Sequence, residues 1–133
     1  MIRTQDCGLA EARVRLDQAR HFLEVAEVVQ DNELDASLSV AASLAILAGI
    51  AAADAACCVS LGRRARGQDH RDAERIVADV PGVGADMAKA LRRLLNLKDD
   101  AHYGMLYVSH ANTTVALRGG RRLLELAERV VLS

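Results

Sequence analysis

Aromatic side chains are almost absent from this chain: one Phe, two Tyr and no Trp among 133 residues. That leaves no platform of rings on which a single-strand nucleic-acid binder could stack successive bases. Excess charge of one sign is lacking too, with 17 Lys and Arg against 18 Asp and Glu and a net charge of -1. The balance argues against a polyelectrolyte DNA binder and leaves room only for a local basic patch. There is a single proline, Pro81, so long helices can run unbroken elsewhere. The three cysteines, Cys7 and the adjacent Cys57 and Cys58, show no CxxC or Cys/His spacing, which excludes a metal site or a disulfide framework. They read as reduced, largely buried thiols of a cytoplasmic protein. The first twenty residues carry Arg3, Asp6, Glu11, Arg13, Arg15, Asp17 and Arg20 with no apolar core between them, so no secretory leader is expected.

What the chain does have is a 51% apolar share dominated by Ala, Leu and Val, enough to build the core of one domain spanning residues 1–133. Residues Ala36 to Ala53 carry no charge at all. Rich in Ala, Ser and Gly and soon followed by Asp54 and the Arg63–Arg64 pair, this stretch would insert poorly into a membrane. It reads as the central, most buried helix of a bundle.

Helical periodicity is clear along the chain. Leu9, Ala12, Leu16, Ala19, Leu23 and Ala26 recur at steps of three and four and form one stripe. Asp31–Asn32 ends that helix, and Asp35 can cap the next through its carboxylate. The second helix is expected from about Ala36 to Arg66, its basic end suiting a helix C-terminus before Gly67. Asp69 is placed to cap a third helix bearing Ala73, Ile76, Val77 and Val80. The run Pro81–Gly82–Val83–Gly84 lacks the Lys-Ser/Thr ending of a phosphate loop and reads as a turn. A fourth helix carries Met87, Leu91, Leu94 and Leu95, and a last one, starting near Ser109 or Asn112, carries Ala116, Gly119, Leu123, Leu126 and Ala127. Gly119–Gly120 inside it costs roughly 1 kcal/mol per glycine relative to alanine, which close packing against another helix, including one across a subunit interface, would offset. Nothing alternates as a strand. The fold class is therefore all-α, an up-and-down bundle of four to five helices.

The chemistry-bearing residues exclude several standard enzymes: there is no HExxH, no Gly-flanked serine elbow, no dinucleotide fingerprint and no Glu-x-x-His pair. Two polar clusters follow helices. One holds Arg63, Arg64, Arg66, Asp69 and His70, the other Lys98, Asp99, Asp100, His102 and Tyr103. If both loops lie at one end of the bundle, they supply cations for phosphate and a histidine that can move protons near neutral pH. Arg92–Arg93 and Arg121–Arg122 read as exposed pairs that could join Lys98 in a modest basic groove.

This order of elements resembles the HEPN family, the nucleotide-binding domain of higher eukaryotes and prokaryotes. The resemblance spans about Asp35 to Val131. It is carried by the Ala-rich helix (Ser39 to Leu61), the loop Gln68–Asp69–His70 entering a short helix, and the run Leu97–Lys98–Asp99–Asp100–Ala101–His102–Tyr103–Gly104 before the closing helix. It implies a four- to five-helix bundle, usually dimeric. It also implies either a metal-independent ribonuclease or a non-catalytic module associated with a nucleotidyltransferase, as in toxin–antitoxin-like pairs. In the family's ribonuclease motif an arginine and its polar neighbour precede a histidine. Here Lys98 stands in the arginine's place, Asp99 fits the neighbour, and Tyr103 falls at the histidine position with His102 one residue off. The motif is thus degenerate.

The expectation is an HEPN-like cytoplasmic bundle associated with RNA or a nucleotide, with no metal and no cofactor. Lys98 would hold phosphate, His102 or His70 would act as acid/base toward a ribose 2′-hydroxyl, and Tyr103 would orient the substrate. Arg64, Asp69 and Asp99 would contribute to binding. Its partners would be a second copy of the chain, an RNA or nucleotide ligand and a nucleotidyltransferase-type protein, with no membrane. The alternative is a non-catalytic interaction or dimerisation module.

Overall fold

The computed structural model describes residues 2–67 and 69–133. Helices dominate: α1 (Leu9–Gln30), α2 (Asp35–Leu61), α3 (Arg71–Val77), α4 (Gly84–Tyr103) and α5 (His110–Val131), making an all-α bundle of four long helices and one short one. The stripe read from α1 is its buried face: Ala12, Leu16, Ala19, Leu23 and Ala26 point inward. Only Leu9, at the solvent-facing start, leaves that stripe.

Helix α2 runs through the middle, packed against α1 and α5 and also touching α3 and α4. An 18-residue window within it reaches a mean hydropathy of 2.1, long and apolar enough to cross a membrane by composition, yet 72% of that window is buried inside the bundle. Its alanines let neighbouring backbones approach, and larger side chains from the other helices fill the space. Gly49 faces Leu94 and Leu123, Gly119 faces Leu94, and Gly120 lies against the carbonyl of Ala45. The Gly119–Gly120 pair is therefore packed within its own chain, against α4 and α2. Its small size serves the intramolecular core.

Two expectations are corrected. Helix α2 stops at Leu61, where Gly62 takes φ +71° and its N–H closes onto the carbonyl of Cys58. The residues after it form a strand, β2 (Arg63–Ala65), antiparallel to β1 (Thr4–Asp6), with Thr4 opposite Ala65, Gln5 opposite Arg64 and Asp6 opposite Arg63. Two three-residue strands are too short to show alternation, so only their pairing reveals them. The cysteines are not all reduced either. Cys7 and Cys58 form a disulfide across a Cα–Cα distance of 5.0 Å, and Cys57 alone is a free thiol. Residues 7 and 58 meet because the N-terminal segment folds back along β2, a long-range contact that spacing does not display. The thiol argument for a reducing compartment goes with it.

The caps expected at Asp35 and Asp69 are not formed: Leu34 and His70 hold those positions, without a side-chain cap bond. Ser109 caps α5, its Oγ accepting from the Asn112 N–H at 3.0 Å. Asp35 is the first residue of α2 and makes no side-chain cap, acting through charge at the positive helix end. Pro81–Gly84 is a turn, with Gly82 at φ +82°. A Cβ on Gly84 would meet the carbonyls of Ala78 and Val77 within 2.7 Å, so α4 can start this close to α3 only with glycine there.

Candidate functional site

Part of each polar cluster, Asp69–His70 and Lys98–Asp99, reaches one cleft. The segment entering α3 and the last turns of α4 enclose a polar cleft of about 180 Å³ lined by Asp69, His70, Arg71, Leu95, Lys98 and Asp99. On α4 the residues Leu95, Lys98, Asp99 and His102 stand three or four apart, so they share one face.

The entry to α3 is built locally. The Asp69 carboxylate accepts the Arg71 N–H at 3.0 Å, and the carbonyl of His70 accepts from Ala73. The helix begins at Arg71 with His70 as its cap residue, one position later than a helix capped by Asp69 would. Gln68, part of the expected loop, lies outside the described residues. Side-chain bonds then tie α3 to α4: Arg71 donates to Asn96 at 2.8 Å, and Glu74 holds Arg92 at 2.6 Å and Arg71 at 3.4 Å. These contacts set the position of His70 relative to Lys98.

His70 is partly buried, and its pKa is lowered. Burial is the main cause, reinforced by the positive Lys98 and by His102 and Arg15, with Asp69 opposing. An imidazole held neutral near pH 7 can accept a proton. His102 turns toward α2, with Nε2 3.5 Å from the carbonyl of Ser43. There it lines an apolar groove of about 540 Å³ with Val40, Leu44 and Leu47. It is not among the residues that line the cleft. Tyr103 is 74% exposed and does not line the cleft. Arg64 sits on β2, also outside it.

The expected basic groove is largely neutralised by partners. Arg92 pairs with Glu74, Arg121 with Glu27 and Arg122 with Asp86.

Sequence reasoning did not pair Arg15 with Asp54. Asp54, at the inner face of α2, has only 8% of its side chain exposed and binds Arg15 at 3.0 Å. Burial pushes its carboxyl pKa up, against the pull of Arg15 and Arg64. Arg15 Nε is buried with no hydrogen-bond partner among the described residues. The one signal available in the sequence was Asp54 itself, a charge breaking an otherwise apolar run. Cys57, a turn away, is no nucleophile: burial, then Asp54, push its thiol pKa up to about 12. Among the described residues no cluster of three or more His, Cys, Asp or Glu side chains is placed to hold a metal ion.

No family model matches this chain, and no curated protein matches it significantly.

Proposed function

We propose that this bundle is an HEPN-like protein that binds RNA or a nucleotide through phosphate at the His70–Lys98 cleft, with weak or no ribonuclease activity. One observation supports this above the others: a histidine kept neutral and a lysine, from separate elements, face the same small polar cleft. For cleavage, neutral His70 would take the proton from a ribose 2′-hydroxyl as its oxygen attacks the adjacent phosphorus. The 5′-oxygen would leave with a proton from His102 or water, giving a 2′,3′-cyclic phosphate. Lys98 would offset the charge developing on the phosphoryl oxygens, as a point charge without the bidentate fork of arginine. Asp99 beside it reduces the net positive charge, consistent with a weak site.

The deciding assay is RNA degradation in chelator. The expected result is slow cleavage or none, with RNA or nucleotide binding that Lys98→Gln weakens. Robust cleavage surviving His70→Ala, His102→Ala and Lys98→Ala would show that the chemistry lies elsewhere. Lys98→Arg with Tyr103→His recreates the family's motif in sequence. Because Tyr103 faces solvent, this pair should gain no more than Lys98→Arg alone if His102 is the working histidine.

The non-catalytic reading is favoured by one surface. Tyr103, Met105, Leu106 and Tyr107 are all at least 66% exposed, and Met105 reaches 98%, an unusual apolar run for a monomer's surface. A symmetric homodimer belongs to both readings. It is supported by the groove side of α2, where Val40, Leu44 and Leu47 face outward without charge. Sedimentation at roughly tens of micromolar, above typical weak association, should show a dimer, and a monomer would sink that part. Pull-down with a nucleotidyltransferase-type protein tests the remaining partner.

A further inference from the structure

The N-terminal segment is stitched along the chain that leaves α2, and the stitching ends just before the cleft lining begins. At one end Cys7 is bridged to Cys58 in the last turn of α2, and its N–H bonds the carbonyl of Gly62 at 3.0 Å. The β1–β2 ladder follows, and at the other end the Arg66 N–H bonds the carbonyl of Arg3 at 2.8 Å. Asp69, which lines the cleft, stands three positions further along the chain. Strand β2 also packs directly against α3, whose entry carries His70. That entry is therefore held by two neighbours: α4, through Arg71 to Asn96 and Glu74 to Arg92, and β2.

The two sulfurs of the bridge differ in access. Cys58 is 1% exposed. Cys7 is only partly buried, on a surface segment where it and Ile2 alone among residues 2–7 pack on the core. Thiol–disulfide exchange needs one sulfur open to attack, and here that sulfur is Cys7 Sγ. Cys57 stays out of the exchange. It lies one residue from Cys58, a rotation of about 100° along a helix, and its buried thiol, with a pKa pushed up to about 12, remains protonated.

We propose that the Cys7–Cys58 bridge is a redox switch for the His70–Lys98 cleft: a dithiol reductant opens it from Cys7, β1 comes away from β2, and the cleft loses the support of its His70 wall and with it affinity for phosphate. This regulation rests on the phosphate-binding reading of the cleft. A thiolate of the reductant attacks Cys7 Sγ, the S–S bond breaks, and the electron pair leaves on Cys58 Sγ, which is protonated. The reductant's second thiolate then attacks the mixed disulfide at the reductant's own sulfur and expels Cys7 as a thiolate, protonated in turn. The bridge has gained two electrons and two protons, and the dithiol has become a disulfide. A small disulfide oxidant reverses the change. The bundle persists through it, because α1, α2, α4 and α5 pack on one another without the strap.

The test follows the His70 ring signals by proton–carbon NMR, with uridine 5′-monophosphate as titrant. It is run at room temperature before dithiothreitol, after it, and again after oxidised glutathione. Reduction should shift the His70 signals and weaken the nucleotide by about three- to tenfold, as when the binding-competent arrangement falls to between about a third and a tenth of the molecules. Helical circular dichroism should be retained, and reoxidation should restore both readouts. Cys7→Ser should match the reduced protein without any reductant and ignore its addition, whereas Cys57→Ser should switch as the unchanged protein does. Unmoved His70 signals and unchanged affinity, with all three thiols titrating in denaturant, overturn the switch and leave the cleft standing. Loss of the helical signal on reduction also overturns it, since the bridge is then a structural staple. If the nucleotide binds neither form, the phosphate reading fails, and the His70 signals alone decide whether the bridge moves the cleft wall.

Discussion

Reducing the Cys7–Cys58 bridge should be the most damaging mild perturbation this protein can suffer. The bridge closes a loop across 51 positions. In the chain-entropy treatment, freeing a loop of that length in the unfolded state lowers stability by about 4 kcal/mol. For a chain of this size each kcal/mol shifts the midpoint by about 3–5 °C, so melting should fall by about 10–20 °C. The change also has a local component. With the bridge open, β1 is held by its ladder to β2, by the flanking bonds from Cys7 N–H to Gly62 O and from Arg66 N–H to Arg3 O, by the Arg64–Gln5 side-chain bond and by the packing of Ile2 and Cys7 on the core. Isolated two-strand pairs are marginal in water. Circular dichroism melts with and without a phosphine reductant measure the shift. Cys7→Ser removes the bridge without opening a cavity in the core, because Cys7 is only partly buried whereas Cys58 is deeply so. Thiol titration in denaturant supplies the control: one reactive thiol per chain before reduction, from Cys57, and three after it. Three thiols in the unreduced protein, or identical melts in both states, would refute the reasoning.

Three further outcomes follow from named contacts. Asp54→Asn takes the counter-charge from Arg15, whose side chain is 28% exposed, and should cost about 1–3 kcal/mol in chemical denaturation, the range for a hydrogen-bond partner lost from a partly buried donor, whereas a loss below about 0.5 kcal/mol would mean the charge behaves as a surface one. Gly120→Ala should be clearly destabilising, by about 1–3 kcal/mol in urea melts, despite alanine's better helix propensity. Its new Cβ would stand 2.8 Å from the Ala45 carbonyl oxygen, and backbone cannot yield as the Leu94 side chain facing Gly119 can. A stable Gly120→Ala variant would show that α2 and α5 are further apart. His70 gives a pH signature: its folded pKa is lowered below the unfolded value, so the unfolded state protonates first. Stability is then full above about pH 6.5, the unfolded pKa, and declines as pH falls below it toward the folded pKa. His70→Gln should flatten that part of the pH–stability curve, and an unchanged curve would count against a partly buried, neutral imidazole.

The helices were legible because burial leaves its period in the sequence. The inward stripe of α1, the Met87–Leu91–Leu94–Leu95 face of α4 and the Ala116–Leu123–Leu126–Ala127 face of α5 are buried as their spacing requires. The sequence put His70 and Lys98 in loops after long helices, and the structure brings them to one cleft although Lys98 lies within α4 itself. Other features left no such trace. Arg63 to Ala65 carry no strand pattern, and their extended form comes from Thr4–Asp6 lying beside them. His102 and Tyr103 are adjacent, and the resembled family's spacing fits Tyr103 and leaves His102 one residue off. Only the rotation of α4 against α2 turns the first inward to Ser43 and the second out to solvent.

Local interactions, then, are written in the order of residues: a helix needs its own periodicity and a cap at its start, as at Ser109. The all-α class, the central place of the charge-free helix and the turn at Pro81 follow from these alone. Contacts between residues far apart in the chain carry no such period. The bridge from Cys7 to Cys58, the pairing of Arg15 with Asp54 across 39 positions and the seating of Gly120 on Ala45 exist only because α1, α2 and α5 pack in one particular rotation. That rotation is selected by how side-chain volumes fit around alanine and glycine, a property of the assembled core that no single segment contains.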